Sequence, residues 1–108
     1  MFKELSKLVK IIKKNKNKNP KISYTASLLK KGNNFCMKKF MEEARELAAS
    51  TQHSNKKNIV HEASDLLYHF LVLHEFKKVS ITSIMKELKR RQKISGILEK
   101  KNRQKNVR

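Results

Sequence analysis

Residues 58–76, NIVHEASDLLYHFLVLHEF, decide how this chain folds. Val60, Ala63, Leu66, Leu67, Phe70, Leu71, Val72 and Leu73 leave little of a helical circumference polar. A helix that is apolar over most of its surface is buried in a bundle or against a second subunit. Yet Glu62 and Asp65 stand three apart and share one face, which His69 continues a turn later. Carboxylates held so close to a core need a partner, because an unpaired buried charge is costly.

Working outward, helical spacing recurs along the chain. Phe2, Leu5, Leu8, Val9 and Ile12 predict a first amphipathic helix, which the polar tract KKNKNKNPK ends as a solvated loop. SYTASLLKKG opens with hydroxyl residues suited to N-capping and stops at Gly32. A long helix is predicted from about 34 to 51, QHSNKK as a loop, and the quoted helix after it. Ser80 or Thr82 caps a further helix reaching about Arg91. Ser95 and Gly96 break the chain before a basic end, of which about 104–108 is expected to be a disordered tail. Two glycines and one proline in 108 residues argue against a β-rich fold. The expectation is one all-α domain over 1–108, large enough for a modest core and helped by a second copy.

Charge frames the functional reading. The chain carries 27 Lys and Arg against 9 Asp and Glu, a net charge of +18. That is the footprint of a phosphate-backbone binder, but the lysines are spread along the chain rather than gathered into a stripe, which argues against specific nucleic-acid recognition. Lys outnumbers Arg 22 to 5 and Asn occurs nine times, a composition that A+T-rich codons also produce. One cysteine excludes an intramolecular disulfide, and Cys36 reads as a small core hydrophobe. The N-terminus lacks a secretory pattern, and no run approaches the roughly 20 apolar residues of a membrane span. The sequence therefore predicts a soluble, cytoplasmic protein with no membrane partner.

Against this basic background the few acids are crowded. Glu42, Glu43 and Glu46 fall within five residues. At about 100° per residue they occupy roughly a third of the wheel, with Phe40, Ala44, Leu47 and Ala48 on the other side. Two explanations remain open from spacing alone. The acids pair with nearby Lys and Arg, or they hold a hard divalent cation such as Mg²⁺, which takes oxygen ligands and is shared with substrate phosphates. Like charges at adjacent and i+4 positions repel, and five acids on two consecutive helices weigh against plain pairing, although spacing alone does not decide.

The linear pattern narrows the choice. E-E-x-x-E, fifteen residues, then E-x-x-D resembles the MazG-like all-α nucleoside triphosphate pyrophosphohydrolases. SYTASLLKKG, KFMEEARELAA, EASDLLYHFLVL and ELKRRQKISGILEKKNR, in this order, resemble the phosphoribosyl-ATP pyrophosphohydrolase family over nearly the whole chain. The resemblance implies a MazG-like helical bundle forming an intertwined homodimer. It also implies Mg²⁺-dependent hydrolysis of phosphoribosyl-ATP to phosphoribosyl-AMP and pyrophosphate, the second step of histidine biosynthesis. On that reading Glu43, Glu46, Glu62 and Asp65, two i, i+3 pairs on facing helices, are the metal ligands. Glu43 also takes part in catalysis, and Glu42 is a further ligand or the base that orients water.

Ser23, Tyr24 and Thr25 are candidates to reach substrate phosphate or ribose through their hydroxyls, with helix capping as the plainer alternative. Lys39, Arg90, Arg91, Lys100 and Arg103 match family basic positions and are candidate phosphate clamps. Ser95 and Gly96 offer a hydroxyl and an N–H to an anion, or form a plain turn. His69 reads as a packed histidine behind the ligands. Met41, Lys38, Ser64 and Lys93 depart from the family pattern at motif edges, and none removes a carboxylate. Nothing resembles the cyclohydrolase fused to this activity in some organisms, so the resemblance implies the stand-alone form. The rivals are a house-cleaning nucleotide pyrophosphatase of the same fold, a basic nucleic-acid-binding module, and a non-catalytic dimerising subunit.

Overall fold

A computed structural model describes residues 2–93, 100, 101 and 103, and among these every regular element is an α-helix. They are α1 (Phe2–Asn15), α2 (Tyr24–Lys30), α3 (Asn33–His53), α4 (Lys56–Glu75) and α5 (Ile81–Arg91). Ser95, Gly96 and the 104–108 tail lie outside the described residues. The chain divides into two compact units, Met1–Lys78 and Val79–Arg108. No described helix is long and apolar enough to cross a membrane.

In the first unit α3 and α4 form the main packing pair, with α1 and α2 laid against them. Only Ser54 and Asn55 separate the two long helices, a shorter link than QHSNKK suggests. Ser54 N–H closes α3 on the Ser50 carbonyl at 2.9 Å, and the Asn55 side chain caps α4 by accepting from Asn58 N–H at 3.0 Å. A link this short makes the pair antiparallel. Phe40 accordingly meets Phe70, each about as far from the link, with ring centroids 6.3 Å apart.

The core is small: Ile12, Ala26, Leu28, Cys36, Leu71 and Val72 are buried. Cys36 is there as a core residue, its thiol donating to the Leu28 carbonyl at 3.2 Å. Gly32, between α2 and α3, has φ +97°, a left-handed conformation that side chains disfavour. Open space surrounds its missing Cβ, so backbone conformation rather than crowding selects glycine.

The lysine-rich tract after α1 is more ordered than a solvated loop. Asn19 accepts Lys21 N–H through its side chain at 2.9 Å, and its carbonyl takes the Ile22 and Ser23 N–H groups at 3.0 Å each. A Lys16–Glu75 ion pair at 3.4 Å ties the tract to the end of α4.

α4 differs from its sequence reading in one respect. Val60 and Leu67 are exposed, as are Met37 and Met41 on α3. Each pair marks a stripe at i, i+4 or i, i+7 spacing along its own helix.

In the second unit Ser80, not Thr82, caps α5, accepting Ser83 N–H at 3.1 Å.

Candidate metal centre

The antiparallel pairing brings the acids of α3 to the acids of α4. Glu43, the middle acid of its cluster, points inward: its side chain is 12% exposed, against 45% for Glu42. Glu62 and Asp65 meet it from α4, and one carboxylate oxygen from each of the three lies within 4.8 Å of the other two. Glu43 Oε2 and Glu62 Oε2 are buried and accept no hydrogen bond. Buried polar atoms are rarely left in that state.

The electrostatics follow from this crowding. Burial pushes the Glu43 carboxyl above the ordinary carboxylate range. The charge of Glu46, a hydrogen bond with it, and the charge of Asp65 push the same way, and Lys39 opposes them weakly. His69 is buried behind Glu43, with Nε2 at 3.9 Å from Oε1, beyond hydrogen-bonding distance. Burial and then the Lys39 charge hold its pKa below the usual value, so the ring gives Glu43 little charge to pair with.

Three crowded carboxylates, two of them with an orphaned buried oxygen, fit a hard cation. Mg²⁺ places its ligand oxygens at about 2.0–2.1 Å, so opposed ligands stand roughly 4 Å apart, within a small side-chain adjustment of the spacing found here. Among the described residues nothing in the chain pairs the buried Oε2 atoms of Glu43 and Glu62, and a charge buried without a partner is costly.

The other candidate residues fall into distinct settings. Glu46 is exposed at the edge of the trio, and Glu42 pairs with Lys39 at 3.5 Å. Ser23 and Thr25 are buried, and their hydroxyls are engaged within the fold. Ser23 Oγ accepts Ala26 N–H at 3.1 Å and donates to the Asn15 carbonyl at 3.2 Å. Thr25 Oγ1 shares a 2.6 Å hydrogen bond with the Tyr68 hydroxyl. Tyr24 between them is 57% exposed, nearly parallel to Tyr68 and edge-on to His69.

Arg90 and Arg91 belong to the second unit. Arg90 forks onto both oxygens of Glu87 at 2.9 and 2.8 Å, and Arg91 Nε donates to Glu87 Oε2 at 3.0 Å. Lys100 and Arg103 are exposed.

One neighbour escaped the sequence reading: His61 Nε2 lies 3.3 Å from Asp65 Oδ2. The i, i+4 spacing of the two residues on α4 was the available signal.

Among the described residues five helices, α1 to α5, the two longest converging carboxylates on one another, define an all-α protein with a candidate centre for a hard cation. Comparison with known proteins makes the assignment particular. The pattern of the phosphoribosyl-ATP pyrophosphohydrolase family matches residues 5–92. The histidine biosynthesis bifunctional protein HisIE of Wolinella succinogenes is 49% identical over 84 residues, 78% of this chain and 37% of that protein. The phosphoribosyl-ATP pyrophosphatase of Vesicomyosocius okutanii is 39% identical over 92% of this chain and 94% of its own length. That of Rhodobacter capsulatus is 40% identical over 89% and 93% respectively. This chain belongs to the phosphoribosyl-ATP pyrophosphohydrolase family.

Proposed function

We propose that the chain splits the α–β phosphoanhydride of phosphoribosyl-ATP with water, yielding phosphoribosyl-AMP and pyrophosphate in histidine biosynthesis, with Mg²⁺ held by Glu43, Glu62 and Asp65. One observation carries the metal assignment: Glu43, Glu62 and Asp65 each bring a carboxylate oxygen within 4.8 Å of the other two, and Glu43 and Glu62 each also keep a buried Oε2 without a hydrogen-bond partner. Mg²⁺, when bound, neutralises phosphate charge and lowers the pKa of coordinated water.

The remaining chemistry belongs to the chain. An anhydride of this kind needs positioning and charge stabilisation more than covalent help. Lys39, partly buried and within electrostatic reach of Glu42, Glu43 and Tyr24, supplies a cation for the phosphates. Glu42 and Glu46 lie outside the trio with solvent access, and we assign them to orienting water and completing the charge around Glu43. His69 packs behind Glu43 and keeps its carboxylate directed into the cluster. Ser23 and Thr25 act by fixing the start of α2. Arg90, Arg91, Ser95, Gly96, Lys100 and Arg103 are assigned to phosphate binding on the family resemblance alone.

The reading includes a homodimer in the cytoplasm. Met37 and Met41 on α3 and Val60 and Leu67 on α4 leave apolar stripes in water on the helix pair that carries the acids. A second copy supplies apolar cover of the same kind.

The test is pyrophosphate release by purified protein from phosphoribosyl-ATP and from ordinary nucleoside triphosphates. The expected result is release from phosphoribosyl-ATP with Mg²⁺, none with EDTA, and a loss of at least ~100-fold in Glu43→Gln, since even the groups supporting a metal ligand are worth up to that much. Equal or faster release from ordinary triphosphates would shift the assignment to a general nucleotide pyrophosphatase. No release from folded protein would overturn the enzymatic reading.

A further inference from the structure

Resting on that reading, we propose that the ring of Tyr24, rather than its hydroxyl, forms the nucleobase platform, stacking the purine of the substrate while Lys39 and the carboxylate centre take its phosphates. Two tyrosines lie nearly parallel at this end of the helix pair, at 19° and 6.1 Å between centroids. Tyr68 is the structural member, its hydroxyl tied to Thr25 at 2.6 Å. Tyr24 is 57% exposed, and among the described residues its hydroxyl makes no hydrogen bond.

The exposed ring is nevertheless held in place. The Ser23 cap and the Thr25–Tyr68 bond flank it in the chain, and the His69 ring meets it edge-on at 6.2 Å. A rigid aromatic face open to water is what sequence-tolerant base stacking uses. Its neighbours link it to the carboxylate cluster. Lys39 lies within electrostatic reach of both Tyr24 and Glu43, and the His69 ring meets Tyr24 edge-on at 6.2 Å while its Nε2 lies 3.9 Å from Glu43 Oε1. Base platform, cation and carboxylate cluster are thus neighbours within the first unit, as the base and phosphates of one nucleotide require.

The experiment compares Tyr24→Leu, Tyr24→Phe and Tyr24→Trp in the full chain, each checked for wild-type helicity. Loss of a base stack predicts a rise in KM of about 10- to 100-fold in Tyr24→Leu, with a much smaller change in kcat. Tyr24→Phe keeps the ring and should recover most of that rise. A Leu variant with wild-type KM overturns the proposal, and so does a Phe variant as impaired as Leu, which would assign the work to the hydroxyl. The second readout needs no turnover. The chain has no tryptophan, so Tyr24→Trp carries a single reporter. Its fluorescence should be quenched by AMP and not by ribose 5-phosphate at the same concentration. Quenching by both or by neither overturns the stack. Because this titration is independent of hydrolysis, it decides the platform even where the pyrophosphate assay fails, and a positive pyrophosphate assay stands even where the platform fails.

Discussion

Glu43 on α3 and Glu87 on α5 are the same side chain in opposite conditions. Glu87 lies at the surface and accepts from two arginines, with Arg90 bidentate and Arg91 one turn along. Those hydrogen bonds hold its pKa down to about 2. Glu43 is buried, faces Glu62 and Asp65, keeps an oxygen without a partner, and has its pKa pushed up by desolvation. In a chain of 27 basic residues, cations for Glu43 were plentiful. Where the chain satisfies a carboxylate itself, the group is part of the scaffold. Where it gathers three and leaves two oxygens bare, the arrangement is incomplete without something from outside.

The comparison breaks most visibly on adding metal. A ligand that binds the folded state alone stabilises it by about 2.7 kcal/mol at 100 times its Kd. For a chain of this size that corresponds to a rise in Tm on the order of 10 °C. Mg²⁺ should produce such a rise in the wild type, EDTA should reverse it, and Glu43→Gln should abolish most of it. An unchanged Tm at millimolar Mg²⁺ would leave the trio as an ordinary, strained acidic cluster.

A smaller effect tests the strain itself. A carboxylate whose folded pKa lies above its unfolded value withdraws stability as pH rises from the ordinary carboxylate range through the raised pKa. Without metal, the wild type should therefore lose stability over that window, and Glu43→Gln should lose less and end up the more stable of the two at neutral pH. The change should be a fraction of the Mg²⁺ effect. Denaturant melts in EDTA across the window measure it. Destabilisation by Glu43→Gln in metal-free protein would mean that Glu43 is already paired, as Glu87 is.

How much of this was legible beforehand varies with how local the cause is. The five helices follow from short-range periodicity, and Ser80 and Gly32 mark boundaries through backbone chemistry confined to a few residues. The convergence of α3 and α4 acids was legible too, because i, i+3 spacing on helices joined by a short link leaves few arrangements. The ranking within the cluster was not. Glu42, Glu43 and Glu46 share a third of the wheel, and only the packing of α3 on α4 turns Glu43 inward while leaving Glu46 exposed. The division of labour in Ser23-Tyr24-Thr25 depends on contacts with Asn15 and Tyr68, eight and 43 residues away, which no local pattern encodes. Asn19 likewise organises a tract whose composition reads as mere solvated loop.

The smallest expected effect concerns the other half of the comparison. Glu87 precedes its arginines at i, i+3 and i, i+4, the orientation that suits a helix. All three side chains are substantially exposed, so water and salt screen the pairs and their contribution to global stability is slight. Its sign is opposite to that of Glu43. A depressed carboxylate contributes stability above its unfolded pKa and loses it as pH falls from the ordinary carboxylate range through about 2. A carboxyl-carbon NMR titration should find the Glu87 midpoint near that value, moving upward in Arg91→Ala and at high salt, and indifferent to Mg²⁺. A midpoint in the ordinary carboxylate range would mean that the Arg90 and Arg91 bonds are too transient in water to satisfy Glu87. The contrast with Glu43 would then rest on burial alone rather than on which carboxylates the chain has paired.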